Sequence, residues 1–164
     1  MPERVSADVL AGKGNKMNRS RPAVWSMSYL FLIIFGAFLV CIGIYFVFFR
    51  PVLLPEDLRY MGLTLIQTDI GSPGLHQWLV NIFRVLGGYI FATGVLVINI
   101  AATAFRAHHW TAALSVAIAG SSSIGFMTYV NFRIDSEFKW IIFAVALVWV
   151  SSLILFGREM RSGR

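Results

Sequence analysis

Charge is scarce in this sequence. Lys and Arg number 14 and Asp and Glu 8, together 13% of the 164 residues, against about 25% in an average soluble domain. Apolar residues make up 57%, and a soluble fold of this size could not hide so much apolar surface. The excess must face lipid or a partner. Cysteine is rarer still. Cys41 stands alone, which excludes an intramolecular disulfide and any multi-cysteine metal site, and inside an apolar run it reads as a small filler. No apolar run contains an internal proline of the kind that breaks transporter helices around a binding site. None carries Asp, Glu, Lys or Arg in its central part, where proton-coupled carriers place an ionisable group. A Walker loop, a nucleophile elbow and an HExxH motif are missing, so neither catalysis nor a cofactor is expected. The net charge of +6 is not arranged as a basic stripe interleaved with aromatics, so no nucleic-acid partner is expected.

What is present is four apolar runs. Residues 1–24 form a basic polar tail carrying Arg4, Lys13, Lys16, Arg19 and Arg21, with a composition that does not favour fixed structure, and Met17 offers a second start beside Met1. Residues 25–164 make the membrane domain. The first span, Tyr29 to Phe49, has no charge and at 1.5 Å per residue reaches about 30 Å, the hydrocarbon thickness of a bilayer. It exceeds the 7–15-residue core of a cleaved signal peptide and is read as an anchor. The remaining spans are placed at about 85–104, 110–130 and 140–156. An outer loop over 50–84 contains Leu54-Pro55-Glu56-Asp57, with Pro and acids where a first helical turn accepts them, so a short amphipathic helix is expected over about 55–67. After Gly71-Ser72-Pro73-Gly74, apolar residues from Leu75 to Leu86 recur at helical spacing and lead into the second span. The fold class is thus all-α, a four-transmembrane-helix bundle with a short helix in its first outer loop.

Basic residues set the expected orientation. With the N-terminus inside, nine fall on the cytoplasmic side (the five of the tail with Arg106, Arg158, Arg161 and Arg164) and five outside (Arg50, Arg59, Arg84, Arg133 and Lys139). Four spans bring the C-terminus back to the cytoplasmic side. Trp25, Tyr29, Trp110, Tyr129 and Trp140 fall at span ends, as an aromatic belt requires.

Small residues mark the expected packing faces, because helices in lipid associate through close backbone approach. The third span repeats them every four residues at Ala113, Ala117, Ser121 and Gly125. The first pairs Gly36 with Gly43, and the second aligns Gly87, Gly94 and Ala101.

Three clusters are candidates for more than packing. Arg84, at the start of the second span, reads as a guanidinium snorkelling from a helix end, or as the partner of Glu56, Asp57 or Asp69 in an ion pair that locks the outer loop. Ser121, Ser122 and Ser123, with Asn99 across from them, would line a polar cavity or, more simply, bond their own helices. His108-His109 reads as a solvent-exposed turn, since adjacent histidines rarely chelate one metal.

The segments Glu56-Asp57-Leu58-Arg59-Tyr60-Met61-Gly62 and Phe83-Arg84-Val85-Leu86-Gly87-Gly88, with the spacing of the later spans, give a resemblance to small uncharacterised bacterial four-helix integral membrane proteins. Over about 130 residues the chain resembles these and, more loosely, the DoxX-like group. The resemblance implies a bacterial inner membrane and no particular reaction. DoxX-like proteins are associated with redox partners, but no motif here matches a cofactor site.

These features point to a non-catalytic membrane component, a scaffold or accessory subunit that associates with itself, with lipid or within a larger membrane complex. The alternative is a ligand-binding, lipid-binding or permeation protein with a site between the outer loop and the second and third spans. A cavity reaching Ser121–Ser123 from the Arg84 side would favour the alternative; a closed, dry bundle would remove it.

Overall fold

The structure, a computed structural model, describes residues 26–62 and 73–162. Helix α1 runs Met27–Phe48 and α2 Pro55–Met61. Helix α3 runs Pro73–Ile100 and continues through a π-helical turn, Ala101–Phe105. Helix α4 spans Trp110–Arg133 with a π turn at Ser121–Gly125, and α5 spans Lys139–Ser162. All four long helices are long and apolar enough to cross a membrane, so the chain is an all-α, multi-pass membrane bundle.

The elements begin and end where local chemistry directs. Pro55 opens α2, where its missing N–H costs nothing, and Gly62 closes it with φ of 67°. The short helix therefore stops at Met61 rather than near residue 67, and 63–72 lie outside the described residues. The amphipathic segment after Pro73 is continuous with the second span, as its helical spacing implied, so α3 begins well before the span's expected start at 85. We term the side of the α1–α3 connection the loop end; the opposite side, with the 106–109 turn, is the terminal end.

Glycine fixes the closest contact. Helices α1 and α3 are antiparallel, and Gly36 and Gly43 of one meet Gly94 and Gly87 of the other. A Cβ on Gly43 would stand 2.5 Å from the Phe91 nitrogen, and one on Gly94 would stand 2.7 Å from the Val40 nitrogen and 2.8 Å from the Gly36 oxygen. Backbone meets backbone at both levels, the means by which helices hold together in lipid.

Helix α5 packs on the other side of α1, and α4 packs on α5. The expected small-residue stripe of α4 is out of register with this interface. Ala113 is buried and Ala117 half-buried, but Ser121 is exposed, and a Cβ on Gly125 would meet only the oxygen of Gly120. The buried face instead runs through Ala112, Ala113, Val116, Gly120 and Ile124. The Trp149 indole lies on Gly120, where a Cβ would be 2.1 Å from its ring, and its Nε1 donates to the Val116 carbonyl at 3.1 Å. The π turn that follows adds residue to the helical turn and rotates later positions off the expected stripe.

The core occupies the terminal half, where Leu32, Phe35, Phe105, Val116 and Phe156 are buried. There α5 also caps α1. Glu159 accepts the Ser28 N–H at 3.3 Å, a donor that a helix start leaves open, and the hydroxyls of Ser26 and Ser28 at 2.5 Å each. His108 is not simply an exposed turn residue: its ring stacks on Phe156, and its Nε2 lies 3.5 Å from Glu159. His109 is exposed.

Candidate functional site

Helices α3 and α4 meet at the terminal end, where Ala101–Phe105 touches the first turns of α4. From there they diverge. The space between them, backed by α1 and the start of α5, is a cavity of about 810 Å³ in the loop-end half of the bundle.

Its walls are apolar: Phe38, Ile42 and Tyr45 from α1, Leu86, Tyr89 and Ile90 from α3, Phe126, Met127 and Val130 from α4, and Ile141 and Ile142 from α5. The serine and threonine hydroxyls of the wall are turned back on their own helices. Thr93 donates to the Tyr89 carbonyl at 2.8 Å, Ser122 to Ile118 at 3.0 Å and Ser123 to Ala119 at 2.6 Å. Cys41 is also a wall residue, exposed rather than packed, and so is not the buried filler that its apolar run suggested.

The roof is polar, and α2 builds it. Asp57, two residues beyond Pro55, accepts the Leu54 N–H at 2.9 Å and pairs with Arg50 Nη2 at 3.1 Å. Arg50 also donates to the carbonyls of Pro51 and Val52, and its guanidinium lies 3.6 Å from the Phe83 ring centroid and 5.2 Å from that of Phe46. One half-buried arginine thus joins the end of α1, the start of α2 and the flank of α3. Successive helical residues point about 100° apart, so Glu56 and Asp57, which both border the cavity, meet different partners. Glu56 is buried and receives the Ser136 hydroxyl at 3.0 Å, across to the α4–α5 turn. Arg59 donates to the Asp135 carbonyl of the same turn at 2.8 Å. The Lys139 ammonium, hydrogen-bonded to Asp135, holds its carboxyl below the usual carboxylate range. That exposed pair supports the turn at neutral pH, and its contribution fades as pH falls through the lowered titration.

Arg84 is elsewhere. It is exposed, and among the described residues it makes no ion pair with Glu56 or Asp57; Asp69 lies outside the described residues. The lock over the bundle belongs to Arg50, which in the sequence counts only among the outer basic residues. The polar cluster does not assemble either. Ser121 and Asn99 are exposed, and of the four only Ser122 and Ser123 border the cavity. Ser136 was missed, although it stands just before the fourth span where a residue bonding the first turn is common; its Oγ accepts the Phe138 N–H at 3.2 Å. Replacing Arg84 with Ala should change thermal stability in detergent by less than about 0.5 kcal/mol, and exchanging its charge with Glu56 or Asp57 should rescue nothing. A loss above about 2 kcal/mol for Arg84→Ala would return the lock to Arg84.

Comparison with protein-family models, curated proteins and solved structures found no match for this chain.

Proposed function

We propose that the chain is a non-catalytic, multi-pass membrane protein that holds a lipid-like amphiphile in the loop-end cavity between α3 and α4. The cavity carries this reading. Its volume of about 810 Å³ falls within the roughly 300–1,000 Å³ of small-molecule sites, which are mostly apolar with a few placed polar groups. From Ile134 to Ser122 the α4 wall extends about 18 Å, enough for an extended acyl or isoprenoid tail. The divergence of α3 and α4 lies at the level of the membrane, so a tail has a lateral way in.

A bundle serving only as a scaffold has no need of such a space, which is why binding is preferred here to the accessory-subunit reading. Permeation is disfavoured by the terminal half, which Leu32, Phe35, Phe105 and Phe156 fill. The nine-to-five division of Lys and Arg supports cytoplasmic termini, and in that orientation the cavity lies in the outer leaflet. A bacterial inner membrane rests on the resemblance of the 56–62 and 83–88 segments, and self-association remains open to the extensive lipid-facing surface.

Native mass spectrometry of the protein released from mild detergent tests the proposal. The wild type should carry a bound amphiphile. Ser123→Trp, which fills the cavity floor, should lower its occupancy at least about tenfold while helix content and monodispersity are retained. Bare wild-type protein, or equal occupancy in both, would count against the cavity as a lipid site.

A further inference from the structure

The polar atoms around the cavity are unequally occupied. Arg50 is committed to Asp57, to the carbonyls of Pro51 and Val52 and to the Phe83 ring. Asp57 is committed to Arg50 and to the Leu54 N–H. The Ser136 hydroxyl is used twice, accepting from Phe138 N–H and donating to Glu56.

Glu56 is the exception. It is 2% exposed, yet among the described residues its carboxyl receives one hydrogen bond, on Oε1 from Ser136, and no cation stands within ion-pair distance. A carboxylate offers about four acceptor positions, so most of its capacity is unfilled, and it is a wall residue of the cavity. Asn131 repeats the pattern one level down. Its Nδ2 donates to the Met127 carbonyl at 2.8 Å, leaving the amide oxygen as an acceptor at the cavity wall. The serine and threonine hydroxyls deeper in the cavity spend their protons on their own helices. At Glu56 the cavity therefore offers a ligand acceptors alone, while the second Asn131 N–H, two Arg50 N–H and the Tyr45 and Tyr89 hydroxyls stand elsewhere on its wall. Burying a carboxyl group with one hydrogen bond and no cation is costly, so a ligand that donates to its remaining positions is favoured.

We infer that the cavity selects an amphiphile whose head donates hydrogen bonds, a hydroxyl or an ammonium, docked at Glu56 with Asn131 below it. A carboxylate or phosphate head would bring a second acceptor and like charge against Glu56 and is discriminated against. The inference rests on the reading of the cavity as a lipid site.

Three photoreactive probes test it: a C16 alcohol, a C16 primary amine and a C16 carboxylic acid, each with the same diazirine in the tail. The full-length protein in phosphatidylcholine nanodiscs is irradiated with each, and labelling of residues 122–131 is read by peptide mass spectrometry. A hydrogen bond to a charged group is worth about 1.5–3 kcal/mol, so the alcohol, the amine or both should label at least about tenfold more than the acid. Which of the two dominates identifies the head. Glu56→Gln keeps an acceptor oxygen without the charge, so the alcohol should label within about threefold of wild type while any excess of the amine over the alcohol disappears. Acid labelling of the wild type equal to that of the better donor would overturn the head preference while leaving the lipid site standing. If no probe labels 122–131, the lipid-site reading fails and this inference fails with it. The comparison of heads on the wild type needs no variant to fold.

Discussion

Substituting Gly43 with Leu should cost the protein about 3 kcal/mol or more and, in most detergents, its monodispersity. The Cβ of any replacement would stand 2.5 Å from the Phe91 nitrogen and 2.7 Å from the Phe91 Cα, so the obstruction is backbone, which cannot rotate away. Overpacking a soluble core costs about 1–3 kcal/mol because neighbouring side chains adjust; here the two helices themselves must part. In lipid nothing pushes them back together, since the exposed faces are as content against acyl chains as against each other. Gly94→Leu should behave alike, because its Cβ would stand 2.7 Å from the Val40 nitrogen. The internal control is Gly88→Ala. It lies one residue past Gly87 on the same helix, with nothing within 4 Å of its Cβ, and should be neutral or stabilising by up to about 1 kcal/mol. Thermal unfolding followed by size-exclusion chromatography separates the outcomes. Equal behaviour of the Gly43 and Gly88 variants would mean that α1 and α3 do not meet along this seam.

The second large effect is expected at Arg50. Its side chain is 8% exposed, paired with Asp57 at 3.1 Å and stacked over Phe83 at 3.6 Å. Arg50→Ala removes a desolvated ion pair and a cation–π contact together and leaves Asp57 without its cation, a loss of about 3 kcal/mol. The loss is local. Hydrogen exchange of the α2 amides, 56–61, should quicken by about two orders of magnitude, while that of α5 should stay unchanged. Arg50→Lys preserves the charge but not the planar stack and fork, and should fall between. Asp57→Asn keeps an oxygen for the Leu54 N–H and loses the ion pair, so its effect should be smaller than that of Arg50→Ala. Unchanged exchange in α2 after Arg50→Ala would show that the roof is held by Glu56–Ser136 and Arg59 alone.

The parts of this architecture that were legible in the sequence are those governed by local rules. Runs of uncharged residues long enough to cross a bilayer gave the four spans, and Pro55 gave the start of α2. Gly36, Gly43, Gly87 and Gly94 pointed to a seam because seven-residue spacing places glycines on one helical face. The rest depended on which helices become neighbours. Ala113, Ala117, Ser121 and Gly125 share a face of an ideal helix, but the Trp149 ring settles on Gly120 and the π turn at Ser121–Gly125 breaks the ideal period. Periodicity cannot foresee either. Arg84 and Arg50 both stand at span ends, and only the fold shows that Arg50 faces Phe83 and Asp57 while Arg84 faces outward. Glu56 read as a helix-start acid, a role that Asp57 performs by bonding Leu54. The place of the cavity was legible as the alternative site between the outer loop and the second and third spans, but its size and shape were not, because divergence of two helices leaves no mark in either one.

The account turns on that divergence. A density map of the protein in lipid nanodiscs, at a resolution that defines side chains, tests it most directly. The account predicts α3 and α4 apart at Thr93 and Ser122, with continuous elongated density between them from Glu56 down to Ser123. Helices α3 and α4 in side-chain contact along their whole length, with no space above Ile124, would contradict it.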